Sequence, residues 1–440
     1  VRVAALLLLA ASSCTPARQD LGTNLDAAAS LDVPGDAGTP SLRITAGRRT
    51  TMVLDASGTV WAWGADGNGQ LALAPALLAD TCALTIGPTP CATSPVRVPA
   101  LFGVSDLALG MEHGCALRDG RVMCWGLDLF GMLGDGRTTD DPGPLPVDVG
   151  IDDAVAIAVG DWTSCAIHAD GGVSCWGLAA AGLLATAPAD LASCPVAAAW
   201  VARYELPFVA GAVLPCALEP RRVPRLTGVR ALALGRVHTC AIVTGDEVVC
   251  VGSAESGQLG TGEAVGVRLS FSSVLTGASA LSAGTHHTCA ITFSGTASGL
   301  TCWGGDGFGQ AGIFPAPVAC ASNACAPSAI EVDPFGTGTL AALGAGDNHT
   351  CAVVGSEAWC FGNADGGAAG ARNATCAAGP CRIPAGLVAT DVRGPIAGGS
   401  EHTCVANLDG TIGCWGEGAG GQLGDGRAIS STVPIRVVLP

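Results

Sequence analysis

The chain has 440 residues, with 21 Lys plus Arg against 37 Asp plus Glu, a net charge of −16 and no basic cluster that could track phosphates, so a nucleic-acid-binding role is disfavoured. Its mean hydropathy is +0.45, yet beyond residue 11 no apolar run reaches the roughly 18 residues that a spanning helix needs. With 64 glycines, 4% aromatics and 21 cysteines, the core must be built from small and β-branched side chains.

The first fourteen residues carry one positive charge at Arg2, an apolar run from Val3 to Ala11, and Ser12-Ser13 immediately before Cys14. This resembles a bacterial lipoprotein signal. It predicts removal of residues 1–13 and lipidation of Cys14. Ala11 stands where such signals usually carry leucine, and a plain secretory peptide is the alternative. Thr15 after the lipidated residue would direct the protein to the outer membrane of a Gram-negative envelope. Residues 14–40 are Ala, Asp, Gly, Pro and Ser without a period, which predicts a flexible tether.

From residue 41 to 440 the chain repeats itself. Seven copies align on Met52, Cys115, Cys165, Cys240, Cys289, Cys351 and Cys404, and each has a glycine five residues earlier: Gly47, Gly110, Gly160, Gly235, Gly284, Gly346 and Gly399. Five copies also place a histidine two residues before the aligned position. The unit reads as a β-hairpin, clearest in Gly399 to Gly426: a strand through Cys404, a turn at Asp409-Gly410, a return strand ending at Trp415-Gly416, then a glycine-rich loop. Short strands and glycine turns repeated about every fifty residues predict an all-β, seven-bladed β-propeller forming one domain. The last element, Val433 to Val438, belongs to no eighth hairpin. Similar elements, such as Pro95 to Val98, precede each new hairpin, so this strand is expected to pair with the blade begun at Leu42 and close the ring.

The Gly-x-x-His-Thr and Trp-Gly…Gly-Gln-Leu-Gly patterns resemble the regulator of chromosome condensation repeat family over Ser41 to Pro440. The match is fullest in Gly235 to Gly260 and Gly399 to Gly424. Gln70, Gln258, Gln310 and Gln422 hold the family's glutamine, whereas Met132, Leu183 and Ala368 depart from it. The resemblance implies a propeller of that type, with histidines that satisfy backbone groups within their blade. It also raises a guanine-nucleotide exchange role, which fits poorly with an exported protein.

Setting Cys14 aside leaves twenty cysteines, and the repeat proposes their pairing. Six pairs lie within hairpins: Cys115 with Cys124, Cys165 with Cys175, Cys240 with Cys250, Cys289 with Cys302, Cys351 with Cys360, and Cys404 with Cys414. Opposing Cys115 to Cys124 leaves Asp119-Gly120 as a two-residue turn. The first copy has Met52 and Ala62 at these positions, so both cysteines are absent together. The other pairs fall in loops between hairpins: Cys82 with Cys91, Cys194 with Cys216, Cys320 with Cys325, and Cys376 with Cys381. Recurrent His-Thr-Cys at His238, His287, His349 and His402 raises metal binding as a rival, but each blade would supply too few ligands; no metal or other cofactor is expected.

Gly307-x-Gly309-x-x-Gly312 matches a dinucleotide-binding glycine pattern but precedes Phe314-Pro315 instead of a helix, so it has no helix N-terminus for a pyrophosphate. Asp66, Asp128 and Asp306 share one repeat position and are the carboxylates a glycan-active propeller would use; the other reading is turns that bond their own backbone. Asp135 and Asp425, in Gly-Asp-Gly-Arg loops, are also read as turn residues, the alternative being a calcium site that lacks a full ligand set. The longest loop, Leu184 to Arg222, holds Trp200, Tyr204 and Phe208, candidates either for a protein-binding surface or for covering a blade edge. The expectation is a monomeric, exported, lipid-anchored scaffold or inhibitor without enzymatic activity. It would bind a protein partner through loops on one face, with glycan binding or cleavage as the alternative.

Overall fold

The computed structural model describes residues 42–440 except 86, 140–144, 186–190, 199, 202–208, 296, 314–317, 321–323, 333–334, 336–337 and 377. The expected signal, Cys14 and the whole tether lie outside them. Seven antiparallel sheets, three of four strands and four of five, form the blades of a propeller. In the first blade the innermost strand Arg43–Ala46 pairs with Thr50–Leu54, that strand with Val60–Ala65, and that with the outer strand Gly87–Arg97. The other innermost strands are Asp106–Leu109, Ala154–Val159, Val229–Leu234, Ala278–Ala283, Leu340–Ala345 and Val392–Gly398. They are rich in Ala and Gly because seven backbones must converge on one axis.

The ring does not close by strand exchange, contrary to the expectation from the C-terminal element. Strand Ser431–Val437 pairs with Ile412–Gly416 of its own hairpin. The reason lies in the phase of the repeat. Elements like Pro95 to Val98 precede the next hairpin in sequence, but they form the outer strand of the preceding blade. Each blade is therefore contiguous in the chain.

Side chains join blade to blade instead. His113 Nε2 lies 2.9 Å from Ser164 Oγ, and His238, His287 and His349 reach Thr288, Thr350 and Thr403 of the following blade at 2.7, 2.9 and 2.8 Å. His402 closes the circle on Thr51 at 2.8 Å. Thr51, Thr350 and Thr403 donate their hydroxyl hydrogen to a carbonyl of the preceding glycine-rich loop, so the histidine Nε2–H donates and Nδ1 stays bare. Buried tryptophans repeat the pattern: Trp125, Trp176, Trp303 and Trp415 donate Nε1–H to the carbonyls of Gln70, Met132, Gln258 and Ala368, and Trp63 to Gln422 across the seam.

The seam between the first and last blades is thus built like the others. Thr51→Val, which keeps shape and removes both bonds, is expected to cost about 1–3 kcal/mol. Thr350→Val should cost the same within error in urea unfolding. A near-neutral Thr51→Val beside a costly Thr350→Val would mean that the seam is held by something else.

Candidate functional site

In each blade the strands alternate in direction, so the turn after the innermost strand and the connection from third to outer strand lie on one face. The hairpin turns, such as Asp119-Gly120 with φ of 51° and 80°, lie on the other. The four stapled insertions all occupy connections from third to outer strand. Cys82–Cys91, Cys194–Cys216, Cys320–Cys325 and Cys376–Cys381 are disulfides in the structure. Each insertion adds an extra strand at the blade edge, Asp80–Leu84, Ala192–Pro195, Val318–Ala319 and Ala374–Cys376. They share one face, on blades 1, 3, 5 and 6.

The hairpin cysteines are directly opposed and bonded: Cys115–Cys124, Cys165–Cys175, Cys240–Cys250, Cys289–Cys302, Cys351–Cys360 and Cys404–Cys414, with Cα atoms 4.1 to 4.2 Å apart. Ten disulfides among the described residues fit an oxidising, extracellular environment. Among the same residues no helix is long and apolar enough to cross a membrane.

At the axis, the seven repeat glycines form a constriction. A Cβ on Gly346 would lie 2.2 Å from the carbonyl oxygen of Gly399, one on Gly399 2.4 Å from that of Gly47, and one on Gly47 2.5 Å from that of Gly110. The contact runs round the ring. A narrow cavity of about 140 Å³ follows the axis. The residue after each glycine stands on the stapled face, where Arg48, Met111, Asp161, Thr285, Asp347 and Ser400 line the cavity and Arg236 joins them through its bond to Asp161.

This rim is charged and mostly shielded. Arg236 Nε donates to Asp161 Oδ2 at 2.6 Å, and its Nη2 stands 3.8 Å from Asp347 Oδ2 across the opening. Burial, then the charge of Asp161, pushes the Asp347 carboxyl up to about 6. On the second blade, buried Glu112 accepts from Asn68 Nδ2 and Gln70 Nε2 at 3.2 and 2.8 Å and faces Arg48 at 3.7 Å; burial raises its carboxyl above the ordinary range. Glu401 is raised likewise, by burial and then by Glu417. Residues such as Asp161, Arg236 and Asp347 were legible in principle, since one offset in every repeat means one radius in the ring, but each copy read alone gives no sign of them.

The other candidates are placed as follows. The Asp66, Asp128 and Asp306 carboxylates accept from the N–H five residues on, Leu71, Leu133 and Ala311, at 2.7, 3.1 and 2.8 Å. Each is held by one oxygen inside its own loop, and Asp306 Oδ2 is buried without a partner. Asp135 and Asp425 pair with Arg137 and Arg427 two residues on. The histidines serve the next blade's Ser or Thr hydroxyls, not backbone groups of their own blade as the resemblance implied. Among the described residues no group of three or more His, Cys, Asp and Glu could hold a metal ion. Trp200 is half-buried and packs edge-on against Phe130, which packs edge-on against Trp162 at the second position after axial Gly160, with centroid separations of 6.4 and 6.0 Å. It anchors the insertion. Tyr204 and Phe208 lie outside the described residues.

Burial raises the Asp306 carboxyl to about 7, against the opposing bond from Ala311. A folded-state value above the unfolded one means that its stabilising contribution is complete below about pH 4 and is lost as pH rises through 7. D306N is therefore expected to gain on wild type by about 2–3 kcal/mol between pH 5 and pH 8. Urea midpoints at the two pH values measure it, and a pH-independent difference would refute the assignment.

Residues 43–70 match the family model described as the regulator of chromosome condensation (RCC1) repeat. The chain is similar to the Arabidopsis thaliana ultraviolet-B receptor UVR8, 24% identical over 89% of this chain and 80% of that one. It is also similar to the human protein named "Probable E3 ubiquitin-protein ligase HERC3", 28% identical over 52% of this chain but only 19% of the relative. The chain likewise covers 29% of the Arabidopsis RCC1 domain-containing protein RUG3, at 30% identity over 31% of its own length. Among solved structures, human WBSCR16 superposes with a TM-score of 0.66 at 18% identity, covering 87% of this chain and 94% of that one. Yeast RCC1 (Prp20) bound to Kap60 gives 0.68 at 17%, covering 98% and 91%. The fold is thus that of the RCC1-type propellers. Residues 43–70 thus carry a regulator of chromosome condensation repeat, within a chain that has the fold of that family's propellers.

Proposed function

We propose that this chain is an exported, membrane-anchored propeller that binds a protein partner through its stapled face and catalyses no reaction. The observation that supports it most is the placement of all four disulfide-stapled insertions on the face that carries the charged axial rim. Disulfides hold such loops in shape before contact, which lowers the ordering cost of binding. Yeast Prp20p, a solved propeller of the same fold, has binding properties to Gsp1p and histones, which is protein recognition on this fold. The carboxylates a glycan-cleaving reading would need are held in separate loops, so that reading has no support from geometry. The anchor and tether of residues 1–40 belong to the proposal.

The test shortens the insertion of the third blade. Pro195 already pairs with Val213, so the segment between them can be replaced by a two-residue turn without cutting the outer strand. Crosslinking capture from a cell envelope should yield a partner with the full chain and lose it with the shortened one. Equal capture would move the site off this insertion, and no partner with either would sink the protein-binding reading.

A further inference from the structure

The Asp161–Arg236–Asp347 side of the axial rim has more negative charge than its own cation neutralises. Arg236 serves two carboxylates, bonding Asp161 closely and approaching Asp347 only to 3.8 Å, and although the Ser400 hydroxyl donates to Asp347, this triad keeps one net negative charge. Thr285 is 4% exposed, lines the same cavity, and its hydroxyl has no hydrogen-bond partner. A buried hydroxyl without a partner beside an under-neutralised carboxylate marks a place where a donor is missing. Among the described residues no metal ligand set exists, and two carboxylates with one hydroxyl suit a nitrogen cation, which brings several N–H donors. The cavity's 140 Å³ admits the end of one side chain and little more.

We infer that the axial rim takes the ammonium or guanidinium tip of a lysine or arginine side chain from the protein partner, seated between Asp347 and Thr285 beside Arg236. The inference rests on the proposal that the stapled face binds protein, and it names the chemistry at the centre of that contact. Arg236 stays in place as the partner of Asp161. The incoming cation completes the neutralisation of Asp347 and donates to the Thr285 hydroxyl.

The test uses dye-labelled, amidated Gly-Gly-Arg-Gly-Gly and its lysine counterpart, with fluorescence anisotropy on the full chain at physiological salt. Binding of either peptide to wild type should weaken tenfold or more in D347N and about threefold in T285V, which leaves every charge in place and guards against misfolding of D347N. A control pair on the opposite face, D119N/D246N, makes a larger charge change and should bind as wild type does. Equal weakening in the control pair would reduce the effect to general attraction by an acidic protein and overturn the inference. So would failure of both peptides to bind. Spermidine binding as tightly as the peptides would overturn the side-chain source in favour of a free amine. If the peptides fail while the shortened insertion still abolishes capture, the stapled-face reading stands and only the axial inference falls.

Discussion

Gly346→Ala is expected to destabilise the propeller by about 3 kcal/mol or more, at the upper end of what overpacking costs. The added methyl would meet His349 Cε1 at 2.1 Å and the Gly399 carbonyl oxygen at 2.2 Å. Neither can yield cheaply. The imidazole is pinned to Thr403 of the next blade at 2.8 Å, and the carbonyl belongs to the neighbouring innermost turn. Moving one turn outward transmits the displacement around a closed ring. Gly410→Ala provides the contrast: its Cβ would meet nothing within 4 Å, and its cost comes only from a φ of 83°. Urea unfolding of the two variants measures the difference. A Gly346→Ala loss no larger than that of Gly410→Ala would show that the axis is loosely packed.

Loss of the hairpin disulfides is the second large effect. In each cysteine-bearing blade the bridge joins opposed residues on the two central strands, and Cys240, Cys250, Cys289, Cys302, Cys351, Cys360, Cys404 and Cys414 are fully buried. Replacing one pair by alanine, as in C240A/C250A, is expected to cost about 2–4 kcal/mol. The first blade shows what can stand in its place, since buried Met52 is directly opposed to Ala62. Under non-denaturing reduction the order should follow access: Cys320 and Cys376 are partly exposed, so Cys320–Cys325 and Cys376–Cys381 open first, while the six hairpin bridges persist until the blades separate. Alkylation and peptide mass mapping over time read this directly. Simultaneous opening of all ten bridges would contradict the burial argument.

The hairpins were legible because their determinants are local. Asp119-Gly120 and Asp409-Gly410 fix the turns, the turns fix register, and register opposes the cysteines. What the sequence hid depends on contacts between copies. The histidines meet a Ser or Thr 50 to 63 residues further along the chain in four blades and 351 residues back at the seam, so a reading within one blade could only assign them to backbone or metal. The phase of the outer strand was misread for a similar reason. Pro95 to Val98 is flanked by two hairpins, and nothing in its residues says which one it joins. Asp66, Asp128 and Asp306 resolved towards the local alternative, since the loop N–H groups five residues on compete successfully for each carboxylate.

The innermost strand of the first blade also gives the molecule an orientation. It runs from Arg43 to the turn at Gly47, and that turn lies on the face with the insertions. The chain therefore enters the ring from the smooth underside. On the proposed anchoring, a surface that holds the first forty residues would lie on the side of plain hairpin turns, with the disulfide-braced crown turned away from it.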